Sequence, residues 1–153
     1  MDMGSKNCRR LKMIKPSLFC AVFLVALAMA AGAARADDDA VSAARAAGLA
    51  WLAIADRGQA AAAWEAAAPL FQAAVSVEDW ERSLRAARGP LGALESREEI
   101  SAEYSKTLPG APDGDYVVFK FSTRLAHKAE AVETLILTKT GDGDWRVSGY
   151  FIR

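Results

Sequence analysis

Cysteine is nearly absent from this 153-residue sequence: Cys8 and Cys20 are the only two, and none follows them. A domain built from the remainder has no disulfide framework, no thiolate zinc or iron–sulfur site and no cysteine nucleophile. Histidine is scarcer still, with His127 alone. One imidazole excludes the paired-histidine zinc motifs. A Ser-His-Asp triad would have to use His127, and no G-x-S-x-G elbow accompanies it. No G-x-x-x-x-G-K phosphate loop is present either. His127 reads as an exposed turn residue, since a general base needs a geometric partner. Asp142-Gly143-Asp144 lacks the further oxygen ligands and closing glutamate of a calcium loop, and reads as a hairpin turn. Asp113-Gly114-Asp115 reads the same way. No catalytic residue, metal or cofactor is therefore assigned.

Charge is balanced overall, at 19 Lys+Arg against 19 Asp+Glu, but unevenly placed. Residues 1–36 hold six of the basic residues and one acidic residue, Asp2, leaving 13 basic against 18 acidic in 37–153, a net charge of −5. Nucleic acid is excluded as a partner on that ground, because phosphate binding needs clustered Lys and Arg. The basic stretch Lys6–Lys15 precedes an apolar run, Leu18–Ala31, and small residues ending Ala34-Arg35-Ala36. These are the three parts of a cleaved signal peptide. The apolar run is shorter than the ~20 residues of a spanning helix. Residues 1–36 are thus expected to be a signal peptide cleaved after Ala36, with Ala33 as a second acceptable site. Residues 37–153 are expected to form a single periplasmic or secreted domain, with no stable membrane insertion after cleavage.

In that domain helices come first. Residues 40–74 hold 17 alanines in 35 positions, and alanine is the best helix former. A first helix is expected from the acidic Asp37-Asp38-Asp39 to about Arg57, ending at Gly58. A second starts near Gln59 and carries Trp64. Pro69 then makes Leu70–Val75 either a kinked continuation or a short separate turn. A third is capped by Ser76 and ends at Gly89-Pro90, with Trp80, Leu84 and Ala87 on one face. Strands follow. Arg97–Leu108 alternates with Ile100, Ala102 and Tyr104 on one side, and Tyr116–Leu125 puts Val117, Phe119, Phe121 and Leu125 on one face. Glu133–Thr140 carries Leu135 and Leu137, and Trp145–Ile152 returns after a hairpin at Gly141–Asp144. The expectation is an α+β domain, three N-terminal helices packed on a four-stranded antiparallel sheet.

Trp51-Leu52, Asp56-Arg57-Gly58, Trp64, Ser76 with Trp80, and Arg88-Gly89-Pro90-Leu91-Gly92 stand in order along the chain. Arg97, Leu108–Gly114, Tyr116-Val117-Val118, Val132-Glu133-Thr134 and Asp144–Arg153 follow. On these residues the chain closely resembles, from about Ala46 to Arg153, a bacterial family, domain of unknown function 4019. That resemblance brings no known activity. More distantly, three helices before a curved antiparallel sheet resemble the cone-shaped fold of nuclear transport factor 2. That superfamily implies isomerases, dehydratases, ligand binders or inert partner modules, and so selects none of them.

The aromatic residues mark the candidate site. Trp51, Trp64, Trp80, Phe119 and Phe121, with Tyr104 and Tyr150 as polar tips, would line a cavity enclosed by sheet and helices, or else fill the core. Arg88 and Arg97, flanking the Gly-Pro-Leu-Gly turn, are expected in surface ion pairs with Glu95, Glu98 or Glu99. The functional expectation is an exported envelope protein with a non-catalytic domain for a small apolar ligand or a protein partner. The alternative is an isomerase- or dehydratase-type enzyme using Asp56 or Glu133 with Tyr104 or Tyr150. Asp56 is expected to serve the helix C-terminal turn, and Glu133 to face solvent. A third reading is a structural homodimer through the outer face of the sheet. The polar alternation of Lys120, Ser122 and Arg124 argues against a large apolar interface there.

Overall fold

The computed structural model describes the chain from residue 19 onward and its side chains from residue 35 onward. The basic stretch Lys6–Lys15 therefore lies outside the described residues. Ala36–Arg153 forms one compact unit. Helix α1 is assigned from Phe19 to Asp56, and α2 (Ala60–Glu65), α3 (Pro69–Ala74) and α4 (Val77–Arg88) follow. A 3₁₀ turn at Gly89–Leu91 leads into strands β1 (Leu94–Ser105), β2 (Tyr116–Leu125), β3 (Lys128–Lys139) and β4 (Trp145–Ile152). No helix among the described residues is long and apolar enough to cross a membrane.

The domain is α+β, but with four α-helices where three were expected. Pro69 is the reason. It sits at the start of α3, where its missing N–H costs nothing, after Ala68 has turned to an extended conformation at ψ 150°. What remained open as a kink or a turn is a separate helix. Asp37–Asp39 also do not begin a helix, since α1 runs through them. Gly58 closes α1 with φ 72°, a left-handed conformation that glycine adopts without penalty. Ser76 caps α4 as expected, its Oγ accepting from the Asp79 N–H at 3.2 Å.

The sheet is an antiparallel meander in the order β1-β2-β3-β4. Strands β2 and β4 have the expected bounds. Val117, Phe119, Phe121 and Leu125 are all buried on the inner face, joined by Leu135, Leu137, Val147 and Tyr150. Ile100 does not share a face with Ala102 and Tyr104. A register shift between Glu99 and Ser101 turns Ile100 out to 57% exposure, while Ala102 and Tyr104 pack on the core.

Helix α1 lies against this inner face through Ala44, Gly48, Trp51, Leu52 and Ala55. A Cβ at Gly48 would stand 2.9 Å from Leu135 Cδ2 and 3.2 Å from Leu137 Cδ1, so the helix backbone meets β3 with no room between. Helices α2 and α3 have six residues each, well below the ~12 at which an isolated helix becomes even marginal in water. Tryptophan holds them in place. The indole N–H of Trp51 donates to Ala63 O at 2.7 Å, that of Trp80 to Ala60 O at 3.1 Å, and that of Trp64 to Val75 O at 2.8 Å. The Ala68 N–H donates to Val147 O at 2.8 Å, pinning the start of α3 to β4.

Candidate functional site

Glu133 follows from the sheet's own geometry. It shares strand parity with Leu135 and Leu137, so it points inward, and it is 0% exposed. The expectation that it faces solvent is overturned. A carboxylate so placed must be paired, because burying a lone ion costs several kcal/mol. Its partners come from four other elements. Arg97 of β1 donates from Nε to Oε2 at 2.5 Å and from Nη2 to Oε1 at 3.1 Å. Thr123 of β2 donates its hydroxyl to Oε2 at 2.8 Å, and Tyr150 of β4 donates to Oε1 at 2.5 Å. Arg88, at the end of α4, lies 3.5 Å from Oε1.

The same two arginines hold Asp56, the last residue of α1. Arg97 meets its carboxylate with Nη1 and Nη2, both at 2.9 Å, and Arg88 Nη2 stands 2.6 Å from Oδ1. Arg88 Nη1 also donates to the Tyr150 hydroxyl at 3.2 Å. Two cations and two anions therefore close on each other, and their formal charges cancel. Arg88 and Arg97 do not form surface pairs with Glu95, Glu98 or Glu99; Glu99 instead pairs with Arg45 at 2.8 and 2.9 Å. Asp56 does end α1, as expected, but its carboxylate is taken into this cluster.

The electrostatics follow from that pairing. Burial alone would raise the Glu133 carboxyl, but hydrogen bonds from Arg97, then Tyr150 and Thr123, outweigh it and hold the group below its usual range. Asp56 is likewise driven up by burial and brought below its usual range by Arg97 and Arg88. Burial, reinforced by the neighbouring Glu133 charge, raises the Tyr150 phenol well above its ordinary value. The pairing thus favours the ionised form of both carboxylates and the protonated form of Tyr150. Among the described residues, no buried polar side-chain atom lacks a partner, and no cluster of three or more metal-ligating side chains is found.

The candidate aromatics form two groups, with Trp64 and Tyr104 apart from both. Trp51, Trp80 and Tyr150 come together, with ring centroids 5.5 Å apart for Trp51–Tyr150, 5.8 Å for Trp51–Trp80 and 6.3 Å for Trp80–Tyr150. Phe119 and Phe121 stack further along β2 at 6.1 Å, with Arg45 over Phe119. Trp64 is partly buried at the α2–α3 end, and Tyr104 donates its hydroxyl to Asp115 beside Lys106. His127 is exposed at the β2–β3 turn, its Nδ1 3.3 Å from Pro90 O.

Two recesses beside α4 adjoin this centre. One, of about 350 Å³, opens between the end of α1, α4 and residues 89–94, with Asp56, Glu81, Arg85 and Arg88 on its walls. It reaches the solvent side of the cluster but not Glu133. The other, of about 410 Å³, runs between α4 and β4 and is lined by Trp80, Leu84, Ala87, Tyr150, Phe151 and Ile152 among others. The sequence reading missed Arg88, Arg97 and Thr123 as partners in one cluster. The inward parity of Glu133 was the available signal.

A family model described as a protein of unknown function, DUF4019, matches residues 47–150, which takes in every member of the charge cluster. The chain belongs to that family. No curated protein and no solved structure matches it.

Proposed function

We propose that this member of the family is an exported protein of the bacterial envelope, periplasmic or secreted, whose domain works by binding and not by catalysis. Its partner is a small apolar ligand or a protein. The observation that supports this reading is the closure of the charge cluster on itself. A general base must be within reach of its substrate, yet Glu133 is 0% exposed, both its oxygens are taken by Arg97, Thr123 and Tyr150, and it lines neither recess. The apolar recess beside Trp80 and Phe151 is open to a partner. Helices leading into an antiparallel sheet suit the cone-shaped architecture of nuclear transport factor 2, which houses binders as readily as enzymes.

The isomerase or dehydratase reading has one observation in its favour, the Tyr150 hydroxyl 2.5 Å from a desolvated carboxylate. A carbon-13 NMR titration of Glu133 separates the two. A midpoint below the usual carboxylate range supports the binding reading, and one near neutrality overturns it. Export and ligand are tested together by native mass spectrometry of protein expressed with residues 1–36 and recovered from the periplasm. A mass beginning at Asp37 with a small adduct is the expected result. Retention of residues 1–36 would overturn export, and a bare mass would remove the small-ligand form and leave a protein partner.

A further inference from the structure

We infer that the bare edge of β4 is a docking strand for a second copy of this chain, pairing antiparallel about a two-fold axis at Phe151. The inference rests on the binding reading above and names its partner. It starts from hydrogen-bond parity. Val132 and Arg153 exchange both backbone bonds, at 3.0 and 3.1 Å, which makes them a hydrogen-bonded pair of the ladder. Two residues on, Thr134 and Phe151 are again opposite, so the N–H and C=O groups of Phe151 point into β3. Those of Tyr150 and Ile152 then point away from it. Among the described residues nothing bonds to them, whereas Val147 O, further back on the same edge, is capped by Ala68.

Exposed edges in monomers are blunted by charge, proline or bulges. The opposite edge, β1, has all but proline: Glu95, Glu98 and Glu103 are exposed, and its register shifts twice. From Val147 to Ile152 β4 has no charge and no proline, its bulge lies before Gly149, and Phe151 stands 55% exposed. A recess of about 410 Å³ separates Ser83, Leu84 and Ala87 of α4 from Tyr150–Arg153.

The occupant follows from self-complementarity. Centred on Phe151, antiparallel pairing sets Tyr150 of one copy opposite Ile152 of the other, twice, so all four bare positions exchange both bonds. Phe151 stacks on Phe151 of the second copy across the outer face, where aromatic cross-strand pairs are favourable. Arg153 falls opposite Gly149 of the second copy, and no like charges meet. An unrelated extended peptide would satisfy the same groups without this symmetry.

The test uses the full chain with Cys8→Ser and Cys20→Ser. Phe151 would face its counterpart at a position whose backbone groups point away, with Cα atoms about 4.5 Å apart, within disulfide reach. Phe151→Cys is expected to form an interchain disulfide on oxidation with oxidised glutathione. Thr134→Cys, one strand inward on the same face, puts the two sulfurs' backbones ~14 Å apart and should not. Sedimentation equilibrium of the uncrosslinked protein should show a dimer. Ile152→Pro removes an outward N–H without touching the β3 ladder and should weaken that dimer at least about tenfold. Phe151→Asp, which keeps every backbone bond, should weaken it too. A monomer at all concentrations, equal crosslinking at both positions, or a dimer indifferent to both substitutions would overturn the inference. A monomer that still holds a small adduct would sink the dimer alone and leave the binding reading standing.

Discussion

Arg97 grips Asp56 through two parallel contacts of 2.9 Å, joining the first strand near its start to the last residue of α1 across 41 residues of sequence. Its third nitrogen, Nε, is spent on Glu133. Replacing Arg97 by Leu leaves two carboxylates facing each other with only Arg88 between them, and is expected to lower stability by about 3–5 kcal/mol. Arg97→Lys should recover little, because one ammonium cannot span both carboxylates in the fork geometry. Urea unfolding of the two variants beside the parent measures both effects.

Acid should weaken the domain in a defined window. Asp56 and Glu133 are held below their unfolded values of 3.8 and 4.5, so in that region the unfolded chain binds more protons than the folded one. Their contribution is therefore fully present above about pH 5.5 and is lost as pH falls through 4.5 towards their folded values. Glu133→Gln removes one of the two, and its stability should fall less steeply between pH 5.5 and 3 than the parent's. Parallel slopes for the two proteins would contradict the assignment.

Trp51→Phe keeps most of the buried ring and removes the donor to Ala63 O. A buried carbonyl left unpaired costs about 1–3 kcal/mol. The loss should appear in the thermal midpoint, with the near-ultraviolet circular dichroism retaining its tertiary signature.

Gly48→Val puts a branched side chain where a single Cβ already stands 2.9 Å from Leu135. Any gain in helix propensity is outweighed by overpacking, for a net loss of about 1–3 kcal/mol. Pairing it with Leu135→Ala, which makes room, should return part of that loss and so tie it to this contact.

Local signals carried the fold a long way. Ser76, Gly58 and the Gly141–Asp144 turn marked their boundaries because each acts on its own backbone, and strict alternation from Val117 to Leu125 set the face of β2. Local signals ran out where the outcome depended on distant partners. Ile100 was placed by a bulge that no alternation reveals, and α2 and α3 are held by indoles from α1, α2 and α4. The charge cluster was hidden for the same reason. Glu133 has the parity of Leu135, yet a carboxylate reads as exposed unless its cations are known, and those lie 36 and 45 residues away.

The meander also gives the domain two tempos of assembly. Every strand pairs with its sequence neighbour, so the ladder closes through short loops, and loop-closure entropy rises with the logarithm of loop length. The seat of α1 on β3 and the grip of Arg97 on Asp56 both span long stretches of chain, and such contacts form late. On contact order, the alanine-rich helix that is first in sequence is expected to be secured after the ladder. The charge cluster acts as its latch, since it draws on all four strands and on the end of α4 and is complete only when all of them are in place.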